Sequence, residues 1–222
     1  MKIIIQVLFF MFPWKIRRIL LNKIFKYDIH KTSKIGYSII LSKKLLMEKH
    51  SRIGNFSFCQ GIDLLHLKEY GRLGTFNYIT GYSSYLKSHF SHVKNRKCEF
   101  IIGKHSAVTS RHFLDATAGI YIGNYTTFAG IKSQILTHSI DIELNIQDAE
   151  MVEIGDYCFV GTACIFLKGS KLPNNSILGA NSLLNKKNEK ECALYGGVPA
   201  RYIKDIPIEK YKYFQRKVGF VN

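Results

Sequence analysis

Residues 152–185 read VEIGDYCFVGTACIFLKGSKLPNNSILGANSLLN, and one period runs through the whole stretch. Large apolar residues fall every sixth position, at Ile154, Val160, Phe166, Leu172, Leu178 and Leu184. Four residues after each comes a small side chain: Cys158, Cys164, Ser170, Ser176, Ser182. Glycine follows the large residue at Gly155, Gly161 and Gly179. A helix repeats its apolar face at i, i+3, i+4 and i+7, and a single strand repeats at two. A strict six, with large and small residues alternating, needs a short strand, a bend and the next short strand. Hexapeptide periods of this kind are a signature of the parallel β-helix. The large residue points into the coil and the small one fits where the wall turns. Glycine is expected to supply the bend that a Cβ would obstruct.

Outward from this run the period weakens but persists. It begins at Ile35 and continues through Leu41, Met47, Ile53, Cys59 and Leu65, then slips by two residues to Leu73, Ile79 and Tyr85. Degenerate terminal turns are normal where an array is capped. Residues 86–100, LKSHFSHVKNRKCEF, fit no register and read as a basic loop thrown out of the coil. His89 and His92 within it lack a third metal ligand and read as solvated. The spacing returns at Ile102, Val108, Leu114, Ile122 and Phe128, and a second insertion covers about 137–151. Beyond Asn185 the pattern stops, and IEKYKYFQRKVGF (208–220) reads as a short C-terminal helix.

Before the coil, MKIIIQVLFFMFPW is apolar but shorter than the ~20 residues a spanning helix needs. The bulky PWKIRR after it offers no signal-peptide cleavage site. WKIRRILLNKIF then sets Ile16, Ile19, Leu20 and Lys23 on one side at helical spacing, with Pro13 suited to its first turn. Up to Lys26 there are six basic residues and no acid. Two roles stay open for this segment: a cap on the end of the coil, and a basic amphipathic anchor at a membrane surface. The expected division is an N-terminal helical segment 1–30, a β-helix 31–186, and a closing segment with helix 187–222.

A formal net charge of +16 on 222 residues points to anionic partners. No RNA-binding signature, zinc-finger spacing or recognition-helix pattern appears, so nucleic acid is not expected among them. Of the five cysteines, Cys158 and Cys164 sit in the small interior register and read as buried small hydrophobes. No pair forms C-x-x-C, and a reducing cytoplasm fits best.

These repeats resemble those of the hexapeptide-repeat acyltransferases, of the acetyl-CoA-dependent sugar O-acetyltransferase type. GGVPARYIK (196–204) is similar to the G-x-P-A-[KR] segment that closes the coil in that family. ILTHSID (135–141) resembles the loop carrying its catalytic histidine, just ahead of an element here reading IGDYCFVG. The resemblance implies an all-β chain folded as a left-handed parallel β-helix. Periodicity alone leaves the hand open, and parallel crossovers are otherwise right-handed in roughly 98% of cases.

What the resemblance implies for chemistry is direct acetyl transfer from acetyl-CoA to a hydroxyl of a sugar or glycan, with no acyl-enzyme and no metal. His138 is then the general base, since its unperturbed pKa near ~6.5 lets it take and return a proton at neutral pH. Asp141, three residues on, is a candidate to orient it. The oxyanion donor maps onto the backbone N–H of Thr162. Phe159 stands where many relatives carry Trp beside the histidine. The pantetheine arm is assigned to Gly161, Gly179 and Ala180, and the coenzyme A phosphates to Lys186, Lys187 and Arg201. Asp115, in FLDATAGIYIG, is the candidate acid for acceptor hydroxyls, though its spacing to Ile122 is one residue longer than the family's. His112 occupies a small-residue register and is expected to project from the coil toward the acceptor. The resemblance also implies a homotrimer, with a cytoplasmic location and peripheral membrane contact left to the N-terminal segment. Alternatives are an N-acetyltransferase for an amino sugar or xenobiotic, and a non-catalytic scaffold. A zinc enzyme on the same coil is disfavoured because His105, His112 and His138 lack its paired spacing.

Overall fold

Three sheets of seven, nine and seven strands, parallel except for the last strand of the nine, run along the chain in a computed structural model. It describes residues 1–86 and 88–219, so Lys87 of the first insertion and residues 220–222, including Phe220 at the end of the expected C-terminal helix, lie outside the described residues. The sheets are three walls visited in rotation: the first opens with Asp28–Ile29, the second with Lys34–Ile35 and the third with Ile39–Leu41. In the regular run each wall strand is two or three residues long and turns its large residue inward. Ile154, Val160, Phe166, Leu172, Leu178 and Leu184 are all fully buried. In the first coil it is Ile40, rather than Leu41, that points inward, because only five residues separate it from Ile35. Tyr85 is exposed and belongs to the first insertion, outside the coil.

The corners explain the rest of the period. Every sixth residue of the regular run takes a left-handed backbone conformation: Tyr157, Ala163, Gly169, Asn175 and Asn181. Gly155 and Gly161 do not. Their role is close approach, since a Cβ on Gly155 would lie 2.7 Å from the Asn174 backbone nitrogen, and one on Gly161 2.6 Å from that of Ala180. The small register does more than fill space. At the corner between second and third walls, Ser38 Oγ accepts from Ser57 N–H at 2.8 Å, Ser57 Oγ from Asn77 N–H at 3.1 Å, and Asn77 Oδ1 from His112 N–H at 3.0 Å. His112 Nδ1 and Ser133 Oγ continue the column onto Ser133 and Cys164 N–H. Each side chain thus satisfies a backbone donor of the next coil, as buried N–H groups require.

Two helices precede the coil, α1 (Lys2–Phe9) and α2 (Trp14–Phe25). They meet the open backbone of the first coil. The Gln6 amide bonds both the carbonyl and the N–H of Ile40, at 2.5 and 3.0 Å, and the buried Arg17 guanidinium donates to the carbonyls of Ile35 and Gly36. An edge strand is covered in this way rather than left as a template for pairing. At the other end, strands Ala193–Gly197 and Ala200–Asp205 form the closing hairpin. The segment after it makes two 3-10 turns, Ile208–Lys210 and Lys212–Gln215, instead of one helix. It lies on the second wall, where the Tyr213 hydroxyl donates to the Cys158 carbonyl at 2.6 Å. The extended backbone at Tyr211 breaks the helical run there.

Candidate active site

Both insertions leave the coil at the corner between third and first walls. The second is an antiparallel hairpin, His138–Asp141 against Ile146–Ala149, and His138 is its first residue. One coil earlier, Asp115 ends the third-wall strand Phe113–Asp115, which pairs with Gln134–Leu136 in a register that sets Asp115 beside Leu136. Two residues past that partner, His138 Nδ1 lies 2.7 Å from Asp115 Oδ2.

Asp115 is almost wholly buried, and its carboxylate is saturated with donors. Thr117 gives its hydroxyl to Oδ1 at 2.6 Å, while Thr137 gives its N–H and hydroxyl to Oδ2 at 2.9 and 3.0 Å. Burial pushes the Asp115 pKa up, but the hydrogen bonds from His138 and Thr117, with the charge of His138 and the Thr137 N–H, hold it below the ordinary value. The hydrogen bond to Asp115 raises the His138 pKa; partial burial opposes it and the carboxylate charge adds to it. An ionised carboxylate can only accept, so Nδ1 carries the proton and Nε2 is the nitrogen left to take another. The His138 side chain is 41% exposed and Asp115's 4%, so the buried partner fixes a ring whose far edge is accessible.

The first insertion supplies the opposite wall. Phe90 packs edge-on against His138 with centroids 6.0 Å apart, and Tyr82 lies 5.7 Å from Phe90. Arg96 holds this loop in place: its guanidinium donates to the carbonyls of Tyr82, Thr117 and Ser83 and sits 4.7 Å over the Phe90 ring. The result is a pocket of ≈ 340 Å³ lined by Thr80, Tyr82, His89, Phe90, Asp115, His138 and Gln147 among others. The loop folded onto the coil was missed in the sequence, because Tyr82, Phe90 and Arg96 lie outside every repeat register. Asp115 was expected to hold acceptor hydroxyls; its carboxylate is instead taken up by Thr117 and, one coil on in the chain, by Thr137 and His138.

The other expected site residues divide between corners. Asp141 does not approach His138; Oδ1 accepts from Leu144 N–H at 3.0 Å and shapes the hairpin turn. His112 does not project from the coil. It is buried, edge-on to Phe128 at 4.9 Å, with Nε2 3.0 Å from Thr109 Oγ1, and burial lowers its pKa to about 4. Its place in the internal hydrogen-bond column is the reason. Thr162, Gly161, Gly179 and Ala180 line the second–third corner, away from His138. Arg201 is exposed on the closing hairpin, opposite Gly196. Phe159 faces outward on the second wall, edge-on to Tyr213 at 5.9 Å. Lys187 is at the His138 side, paired with Glu150 at 2.6 Å, and Lys186 precedes it. Cys158 is buried with its thiol pKa pushed up to about 12, and Cys164 is also raised by burial. Burial of both thiols disfavours the thiolate that a nucleophile needs. Among the described residues no three His, Cys, Asp or Glu side chains gather as a metal site.

No protein-family model matches the sequence, and no curated protein matches it. Solved structures do. An N-acyltransferase from Bacillus cereus, AntD, solved as a mutant with dTDP and coenzyme A, aligns over 85% of this chain and 89% of its own, at 16% identity and a TM-score of 0.50. The chain has the hexapeptide-repeat acyltransferase fold. The hexapeptide-repeat acetyltransferase VCA0836 from Vibrio cholerae shares 23% identity over 48% of this chain, with a TM-score of 0.45, and the match spans 62% of that protein. A maltose O-acetyltransferase from Clostridium difficile shares 16% identity over 87% of this chain and 76% of its own, with a TM-score of 0.36.

Proposed function

We propose that the protein is an O-acetyltransferase that moves the acetyl group of acetyl-CoA to a hydroxyl of a sugar in a bacterial surface polysaccharide or its precursor. The observation that carries this reading is the Asp115–His138 pair, a histidine oriented by a buried carboxylate at the mouth of a pocket. His138 Nε2 takes the proton of the acceptor hydroxyl as its oxygen attacks the thioester carbon. Asp115 keeps the proton on Nδ1 and steadies the imidazolium that forms, a role that general-base catalysis at ~10²–10⁴-fold requires. The tetrahedral oxyanion is received by the Thr162 N–H. Collapse expels the coenzyme A thiolate, which takes the proton back from His138.

Thr162 and His138 lie on different corners of one chain, so this mechanism needs a second copy. The outward positions of the third wall favour one. Ile39, Phe58, Tyr78, Phe113, Gln134, Ile165 and Leu183 stand in register, and none is charged. The second wall's equivalent row carries Lys34, Arg52 and Arg72, and the first wall's carries Glu153 and Lys171. With three third walls around a common axis, the His138 corner of each copy meets the Thr162 corner of the next. A heterologous contact of this kind closes into a ring. Gly161, Gly179, Ala180 and Arg201 would then face Lys186 and Lys187 across the same cleft, where acetyl-CoA would bind. The coil is taken as left-handed, the hand of the family, and the enzyme as cytoplasmic.

A second reading is N-acylation of a nucleotide-linked amino sugar, favoured by the dTDP and coenzyme A bound to AntD. Release of free thiol from acetyl-CoA, followed with neutral glycans, amino sugars and their nucleotide-linked forms, separates the two. Mass gain on a hydroxyl-only glycan supports O-transfer. Turnover confined to amino sugars would replace it with N-transfer.

A further inference from the structure

The N-terminal arm uses one face to close the coil and leaves another apolar face uncovered. Helix α1 turns Gln6 and Phe9 inward. Its other face, Ile3, Ile4, Val7 and Leu8, continues into Met11 and Phe12, and all six are exposed, Ile4 by 64% and Met11 by 83%. The spacing i, i+1, i+4, i+5 marks one side of a helix, so this is a contiguous patch rather than scattered residues. None of the six belongs to the core cluster. Beside it, α2 exposes Lys15, Ile16, Ile19 and Lys23, a stripe that mixes apolar and cationic side chains. Arg17 is consumed by the coil and Arg18 reaches the Ile29 carbonyl, which leaves Lys2, Lys15, Lys23 and Lys26 outward. No acid precedes Asp28.

We propose that this end of the coil docks on an anionic lipid membrane. The apolar face would enter the boundary between head groups and acyl chains while the lysines meet the anionic head groups, the arrangement of an interfacial amphipathic helix. A second copy fits the same face poorly. End-to-end pairing would set the lysines of one arm against those of the other with no acid on either to offset them. Among the described residues no helix is long and apolar enough to cross a membrane, so the arm lies on the surface. In the trimer proposed above, the three arms share one end of the assembly, and simultaneous engagement multiplies their binding. The docking itself does not depend on acyl transfer.

The test is co-sedimentation of the full chain with phosphatidylglycerol-containing vesicles and with pure phosphatidylcholine vesicles, at low and high salt. Wild type is expected to pellet with the anionic vesicles and to be released by salt. Ile4→Ser with Leu8→Ser should weaken this partition by roughly tenfold or more, since each removes an outward apolar side chain. Lys15→Gln with Lys23→Gln should weaken it and flatten its salt dependence. Both double variants should keep the wild-type melting temperature, because none of the four residues belongs to the core cluster. Wild type remaining in the supernatant, or equal pelleting by wild type and the Ile4/Leu8 variant, would overturn the proposal. So would a doubled assembly mass without lipid that the Ile4/Leu8 variant reduces, which would make the face a protein interface. Acetyl transfer is read in a separate assay, so loss of one result leaves the other standing.

Discussion

At the residue scale, the account rests on a proton held at one nitrogen of His138. Activity needs the neutral ring, and Asp115 raises the pKa, so the acid limb of the rate profile should lie above the ordinary histidine value. Asp115→Asn removes the charge and the strong acceptor. The limb should then move to lower pH while the maximal rate falls by roughly one to three orders of magnitude. A limb that stays in place in the variant would mean that Asp115 does not set this titration. The loop resemblance names His138, and FLDATAGIYIG names Asp115 for acceptor hydroxyls. The contact between the two was not legible, because it depends on which residues of successive coils share a corner. His112 went the other way: an unusual size in a small-residue register suggested projection, whereas the imidazole replaces a hydroxyl in the column of acceptors for the next coil's N–H.

At the scale of the element, the six-residue period marks one strand and one bend, and the structure sets the strands into three walls and reassigns the work within each corner. Gly161 is needed for approach of the next coil, and the left-handed bend falls two residues later on Ala163. Two substitutions at one corner should therefore have opposite signs. Gly161→Ala, with its Cβ driven onto the Ala180 backbone, should cost ~1–3 kcal/mol. Ala163→Gly relieves a left-handed non-glycine residue at ~1–2 kcal/mol and adds back ~0.5–1 in glycine's unfolded-state entropy, so it should stabilise slightly. Thermal melts of the two single variants decide it, and stabilisation by Gly161→Ala would refute the assignment. The insertions were visible as breaks in register, but their docking was not. Tyr82, Phe90 and Arg96 find their partners through long-range contacts that no period encodes.

At the scale of the whole molecule, the proposed trimer rests on the outward row of the third wall from Ile39 to Leu183, which carries no charge. Tyr78 and Phe113 stack at 5.5 Å there and are each 40% exposed. In the trimer proposed above, Tyr78→Glu with Phe113→Glu should lower the mass in solution from three chains to one and abolish activity that draws Thr162 and His138 from different copies. A trimeric mass in the variant, or a fully active monomer, would place the interface or the site elsewhere. His138 as the base is tested by turnover with acetyl-CoA and an acceptor for wild type and His138→Ala, alongside coenzyme A affinity by calorimetry. The rate should fall by roughly two or more orders of magnitude with affinity nearly unchanged. Near wild-type turnover in His138→Ala would contradict that role.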